Sequence, residues 1–241
     1  MKRVYWLILL LLISGSYRAF SQNLVYDANA EVRKVADFKG LDVQDGIAVY
    51  LSQGNTQAVA VSAGDERNVP KIKTEVRDGI LKISVDAGFW NGWNWGDKKL
   101  KAYVTVTDLE TLELSGGSVG KITDQLNIGS IKIDLNGGSI LEGSLSGKEL
   151  DLSLSGGSIA KLSGTVSSSA VQASGGSILK SYDLALDQLK VSASGGSIIA
   201  VTVNKEMNVE ASGGSVINYK GSGVISSIDT SGGSILKKKD E

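Results

Sequence analysis

Apolar and polar residues alternate in short runs along most of this chain, and a small-Gly-Gly-Ser phrase interrupts the alternation seven times. The residues one and three positions before the phrase are apolar in nearly every copy, and the residues between them are polar. This period of two predicts strands with one buried face. Consecutive phrases are 18 to 21 residues apart, which predicts a repeat architecture of stacked units. The phrases begin at Ser115, Asn136, Ser155, Ser174, Ser194, Ser212 and Ser231.

Double glycines at this interval would break helices, and they suit tight corners because glycine adopts positive φ without steric cost. Coils stacked at the strand spacing of about 4.8 Å would align the first and third residues before the phrase, and the residue directly after it, into interior columns. The serines would form columns of their own and bond to neighbouring backbone or to the next coil. A second, weaker apolar set, which includes Leu145 and Leu184, fits a second strand per coil. The predicted fold is all-β, a parallel β-helix with coils of about 19 residues.

The chain before the repeats also consists of short alternating runs, such as Ile47–Leu51 and Ile80–Val85, beside the turn signals Asp45-Gly46 and Asp78-Gly79. We expect early, irregular coils there or an N-terminal β cap, since an uncovered first coil would expose a strand edge. The predicted organisation is a signal peptide over 1–21, an N-terminal β region with first irregular coils over 22–108, the repeat β-helix over 109–236 and a charged tail over 237–241.

The first residues of the chain are typical of an export signal. Met1-Lys2-Arg3 carries positive charge, a short apolar run follows from Val4 to Ile13, and Ala19-Phe20-Ser21 is a small-x-small cleavage site. The apolar run is shorter than the roughly 20 residues that span a bilayer. We therefore expect cleavage after Ser21, no transmembrane segment in the remaining chain, and a protein of the periplasm, the outer surface or the medium.

The charged residues are nearly balanced, with 25 basic and 26 acidic side chains, and the chain contains neither histidine nor cysteine. The weak negative net charge argues against nucleic-acid binding, which needs a concentrated basic surface. Without histidine or cysteine, Ser-His-Asp triads and the usual zinc sites are excluded. Nucleotide-binding glycine loops and the Asp-containing repeats of calcium-binding β-rolls are absent as well. We therefore predict no catalytic residues, no metal and no cofactor.

One segment breaks the β pattern. Gly88–Asp97 contains three of the four tryptophans within six residues and lies between two predicted strands, so we expect a loop. Tryptophan combines a large apolar face with a polar N–H, which suits contact with sugar rings, a peptide or a membrane interface. The alternative is that these rings fold back over the end of the solenoid. The candidate binding residues are Phe89, Trp90, Trp93 and Trp95.

In combination, these features resemble the head GIN domain of auto-transporter adhesins, a family of exported proteins in Bacteroidetes-type bacteria. The resemblance rests on the export signal, on Phe38–Val43 followed by Gly46–Val49, on Gly79–Ile83 and on the Ser-Gly-Gly-Ser-Ile coils, and it covers roughly residues 34–220. It implies a pectin-lyase-like β-helix without established catalytic residues and a role in adhesion. It supplies no binding residue.

We therefore expect an exported, non-enzymatic adhesion or binding module of the cell envelope, with a glycan, an envelope component or a surface protein as its partner. Two alternatives stay open: a periplasmic lipid- or glycan-binding protein, and a glycan-active enzyme whose carboxylate site the sequence does not reveal. The lack of histidine and of an evident carboxylate cluster favours binding over catalysis. The oligomeric state does not follow from the sequence.

Overall fold

The computed structural model describes residues 27–86 and 99–240, which form seventeen strands and one 3-10 helix, Glu66–Lys71. The strands before the repeats are β1 (Glu31–Val32), β2 (Gly40–Val43), β3 (Ala48–Gln53), β4 (Ala58–Ser62), β5 (Ile72–Arg77), β6 (Ile80–Val85) and β7 (Lys101–Val106). The strands of the repeats are β8 (Thr111–Leu114), β9 (Val119–Ile122), β10 (Leu126–Leu135), β11 (Ile140–Leu154), β12 (Ile159–Ala173), β13 (Ile178–Ala193), β14 (Ile198–Ala211), β15 (Val216–Lys220), β16 (Val224–Thr230) and β17 (Ile235–Lys238).

Each repeat strand pairs in parallel with its equivalent in the next coil. Leu112 pairs with Ile133, and Ile133 pairs with Leu152. The same register continues from Leu152 to Val171 and from Val171 to Val191. The prediction of a parallel β-helix with coils of about 19 residues is therefore confirmed.

The coils of the repeat have three sides. Strands β11 to β14 are 14 to 16 residues long, and each continues from one corner phrase to the next. Burial alternates along β11 except near Gly143 and Lys148, which indicates a bend at each place. The weaker apolar set seen in the sequence forms the third side, because Leu145 pairs with Gly164, which pairs with Leu184.

The N-terminal region forms both coils and a cap. Strand β2 pairs in parallel with β6 and β8, and β3 pairs in parallel with β7 and β9, so the β2–β3 coil lies between the β6–β7 coil and the first repeat. Three further strands pair antiparallel at this end: β4 with β7, β1 with β4 and β5 with β6. The first coil is thus covered, as the sequence predicts for an edge that would otherwise attract another chain.

The residue directly after each phrase faces outwards, so our expectation that it joins the interior was wrong. Ile140 and Ile159 are half-buried, whereas Leu141 and Ala160 beside them are buried. The reason lies in the phrase itself, because its last serine takes the inward position. Ser158 is fully buried, as are the equivalent serines of the other coils except Ser234 in the last one, and the strand period of two then turns the following residue outwards.

The buried serines connect successive coils. The Oγ of Ser158 donates to the carbonyl of Leu135 in the preceding coil at 2.9 Å, and it accepts from the amide of Ser155 at 3.1 Å. The Oγ of Ser139 makes the equivalent bond to the carbonyl of Leu114 at 2.7 Å. A buried hydroxyl is tolerated because it is hydrogen-bonded, so the predicted serine column exists and links the coils.

The hydrophobic core is continuous along the solenoid, from Phe38 to Tyr219. The described part of the chain contains no helix long and apolar enough to cross a bilayer. The predicted signal peptide, residues 1–21, lies outside the described residues.

Candidate binding face

The aromatic residues predicted to bind lie outside the described residues; they are Phe89, Trp90, Trp93 and Trp95. The described residues on either side of this segment lie at the corner of the β6–β7 coil. The amide of Gln44 bonds to the carbonyl of Ile83 at 3.0 Å, and the amide of Ala48 bonds to the carbonyl of Leu100 at 3.0 Å. In this coil, residues 87–98 therefore stand in the chain where a repeat coil has its four-residue corner.

The side of the solenoid that follows the corners carries a continuous row of aliphatic side chains on its outer surface, which we call the outer ladder. Its seven residues pair rung by rung across adjacent coils. At about 4.8 Å per coil, six steps give a row of about 29 Å. Most rungs are half-buried between their neighbours, and Ile198 and Ile235 are 40 % and 52 % exposed. The outer ladder consists of Val119, Ile140, Ile159, Ile178, Ile198, Val216 and Ile235.

A row rich in lysine runs beside the outer ladder, two residues further along each strand, and we call it the lysine column. Lys161 pairs with Glu142, whose carboxylate lies 2.6 Å from its Nζ. Glu142 also stands beside Lys121 in the preceding coil, and its pKa is lowered by the hydrogen bond from Lys161 and by both lysine charges. The outer surface here is therefore aliphatic along one row and mainly cationic along the next. The lysine column consists of Lys121, Glu142, Lys161, Lys180, Ala200, Asn218 and Lys237.

Two tyrosines continue the lysine column towards the N-terminal end. Tyr50 pairs with Lys121 on one side and with Tyr103 on the other, and the two rings stack with centroids 5.3 Å apart. The hydroxyl of Tyr103 donates to the Oδ2 of Asp27 at 2.8 Å, and Lys101 Nζ donates to the same oxygen at 2.9 Å. Burial and the Asp27 carboxylate raise the pKa of Tyr103. The two rows of this surface thus end beside an aromatic pair, in which the Asp27 carboxylate orients Tyr103.

The side of the solenoid that precedes the corners carries three carboxylates in successive coils. Glu113 pairs with Asp42 on one side and Asp134 on the other. Glu113 is exposed, but partial desolvation of its carboxyl group and the negative charges of Asp42 and Asp134 raise its pKa. Asp42 is buried and accepts two 3.0 Å hydrogen bonds from Gln44 Nε2, while Lys82 lies 3.7 Å away. Among the described residues, no cluster of three or more Asp or Glu side chains is arranged to hold a metal ion.

Residues 37–223 match a family model described as "Putative auto-transporter adhesin, head GIN domain". The chain belongs to this family. The resemblance seen in the sequence is therefore confirmed, and the family's description is that of an adhesin rather than an enzyme. No curated protein has significant similarity to the chain.

Solved structures share the fold. A "putative adhesin" from Bacteroides fragilis is 22 % identical with a TM-score of 0.76, and the alignment covers 87 % of this chain and 96 % of that one. A "putative lipid binding protein" from Parabacteroides distasonis is 22 % identical with a TM-score of 0.65, covering 89 % and 98 %. A "putative adhesin" from Parabacteroides merdae is 14 % identical with a TM-score of 0.67, covering 88 % and 95 %. At these identities the likeness concerns the fold.

Sequence reasoning missed the outer surfaces of the solenoid. The outer ladder was assigned to the interior, and the three carboxylates are separated by 71 and 21 residues along the chain. One signal could have found both sets, because Glu113 and Asp134 each stand two residues before a phrase, as Asp42 stands before Gln44-Asp45-Gly46. Counting every residue from its nearest corner places these side chains in columns.

Proposed function

We propose that this chain is an exported, non-enzymatic binding module of the cell envelope that attaches to anionic glycans or lipid headgroups. The proposal places the contact on the outer ladder and the lysine column. The observation that carries it is the long outer surface on which an aliphatic row lies beside a cationic one. Family membership supports a binding role of the adhesin kind.

The chemistry of this face matches an acidic, partly apolar surface. Lys121 and Lys180 are exposed and can meet carboxylate or phosphate groups, while neighbouring isoleucines offer apolar contact. Because parallel coils fix the spacing of both rows, the backbone needs no reordering on binding, and only the exposed side chains lose rotamer freedom. Repeated weak contacts along the face would add by multivalency on a polymer or a lipid surface.

The test is binding of the purified chain to acidic and neutral glycans and, separately, to vesicles with and without anionic lipid. We expect selective binding to the acidic members, and the two arms distinguish a glycan source from a lipid source. Reversing both exposed charges in Lys121→Glu/Lys180→Glu should weaken binding about tenfold, and the wild-type affinity should fall with added salt.

The matched control is Lys190→Glu/Lys205→Glu, which reverses two exposed charges away from this face. Binding that both double variants weaken equally would reflect net charge alone and would contradict the proposed face. Binding that neither variant changes would do the same.

The tryptophan segment is a second candidate contact on sequence grounds. We propose that Phe89, Trp90, Trp93 and Trp95 add aromatic contacts to sugar rings or headgroups. The triple change of Trp90, Trp93 and Trp95 to alanine should weaken binding and leave the melting temperature unchanged. A triple variant that unfolds would instead favour the capping role.

The three carboxylates of successive coils, Asp42, Glu113 and Asp134, favour a second candidate function, hydrolysis of a glycan. A general acid needs a carboxyl group whose pKa is raised, and Glu113 has a raised pKa where it stands between Asp42 and Asp134 of the adjacent coils. Product analysis in the same glycan experiment tests this function. Turnover that Glu113→Gln abolishes would establish the hydrolase and overturn the non-enzymatic proposal.

A further inference from the structure

The last coil of the described chain leaves one edge uncovered. β16 pairs with β14 and β17 pairs with β15, each on one side. Within residues 27–86 and 99–240, the residue pairs of β16 all lie in β14 and those of β17 all lie in β15. The opposite end of the solenoid differs, because antiparallel strands β1, β4 and β5 surround its first coil. The two ends are therefore unlike.

Exposed apolar side chains concentrate at this open end. Of the five large apolar residues that are exposed in the described chain, three belong to the last coil: Val224 at 70 %, Ile228 at 57 % and Ile235 at 52 %. Ile228 stands in the column where Val209 is fully buried, and the two residues are paired. Ile228 is thus a core residue that lacks the covering coil its counterparts have.

The backbone of β16 also has free hydrogen-bonding groups. The amide of Ser231 donates to the carbonyl of Ala211 in the previous coil at 2.9 Å. Since alternate residues of a parallel strand point their N–H and C=O to opposite sides, Thr230 and Ile228 direct theirs to the open edge. An edge of this kind pairs readily with another strand.

The two strands of the last coil are protected to different extents. The β17 end carries Lys237, Lys238 and Lys239, and the Nζ of Lys238 lies 5.9 Å from the ring centre of Tyr219. Lysines at an edge discourage strand pairing. β16, with the sequence VISSIDT, has the single charge of Asp229. The strand of the open end that is least protected against pairing with another strand is therefore β16.

We propose that β16 is the interface through which two copies of this chain form an end-to-end dimer with two-fold symmetry. An axis through the middle of β16 lays the strand antiparallel on its equivalent, so that free N–H groups meet free carbonyls and Ile228 is covered. The same rotation brings each lysine-bearing β17 over a different side of the partner, which keeps the two lysine clusters apart. Head-to-tail stacking is disfavoured because the other end is capped, so the contact is isologous and closes at two copies.

Sedimentation velocity on the purified chain tests the dimer. We expect a dimer at about 100 µM that dissociates on dilution. Ile228→Lys should weaken dimerisation at least about tenfold, because it buries an unpaired charge in the interface. The matched control, Val32→Lys, alters an exposed valine in β1 at the capped end and should dimerise like the wild type. Circular dichroism establishes that both variants are folded.

Three outcomes would overturn the proposal. The wild type could remain monomeric at the highest concentration, the two lysine variants could dimerise equally, or the sedimenting species could grow beyond two copies with concentration. None of these results bears on glycan or lipid binding, since the interface and the proposed binding face are tested with different variants.

Discussion

At the scale of single residues, the ion pair at the N-terminal end makes stability depend on pH. The hydrogen bond from Lys101, with help from Tyr103, lowers the pKa of Asp27 from 3.8 to about 2 against the opposing effect of burial. A lowered folded-state pKa stabilises the fold above the unfolded value, and the contribution is lost as pH falls from about 4 to about 2. We expect Asp27→Asn to reduce the free energy of unfolding at pH 7 by about 1–2 kcal/mol. Urea unfolding at several pH values should show the two curves converging towards pH 2.

Asp65→Asn is the matched control for this residue. Its carboxylate also has a pKa lowered to about 2 by Arg67, but the pair is exposed to solvent. Solvent screening makes such pairs weak, so we expect a smaller loss that added salt largely removes. Equal stability of Asp27→Asn and the wild type at pH 7 would contradict the role given to Lys101.

At the scale of the elements, the sequence predicted correctly those parts of the coil whose structure depends on neighbouring residues alone. The alternation around Leu112 and Ile133 fixes the strand before the corner, and the double glycine fixes the turn. In the strand after the corner, the buried face was predicted wrongly, because Ser158 takes the inward position and Ile159 therefore faces outwards. The sequence did not decide between early coils and a cap before the repeats, since the pairing of β2 with β6 and β8 joins segments far apart in the chain.

Glycine is required at the two central positions of each corner for different physical reasons. Gly157 has φ +80 and a Cβ there would meet nothing, whereas a Cβ on Gly156, at φ +62, would lie 3.0 Å from the amide nitrogen of Gly137. In the earliest corner, Gln44-Asp45-Gly46, Asp45 stands where the repeats have their first glycine. It has φ +62, and its carboxylate accepts a hydrogen bond from the amide of Val85. The second glycine is thus needed for its backbone angle, and the first for its angle and for stacking.

This difference predicts unequal costs for the same substitution. Gly157→Ala should destabilise by about 1–2 kcal/mol through the left-handed backbone alone. Gly156→Ala should cost about 2–4 kcal/mol, because the methyl group also pushes against the preceding coil. Thermal and urea unfolding of the two variants measure both values, and each variant serves as the control for the other. Equal losses would mean that coil stacking at the corner does not require the first glycine.

At the scale of the whole molecule, the solenoid behaves as a row of units that each depend on their neighbours. The first repeat coil rests on the β2–β3 coil, where Leu112 pairs with Leu41 and Leu114 pairs with Val43. All four side chains are buried and belong to one core that extends without interruption to Tyr219. The repeats therefore have no separate core that would be complete without the N-terminal coils.

A chain that starts at residue 109 should for this reason fail to fold as a soluble monomer. Removing residues 1–108 uncovers Leu112, Leu114 and Ile122 and leaves β8 and β9 as an unprotected edge, which favours aggregation. The control chain, residues 27–240, keeps the cap and should retain the melting temperature of the whole protein. Circular dichroism and size-exclusion chromatography distinguish the two. A soluble chain from residue 109 with a cooperative melting transition would show that the repeats fold independently and that the N-terminal coils serve another purpose.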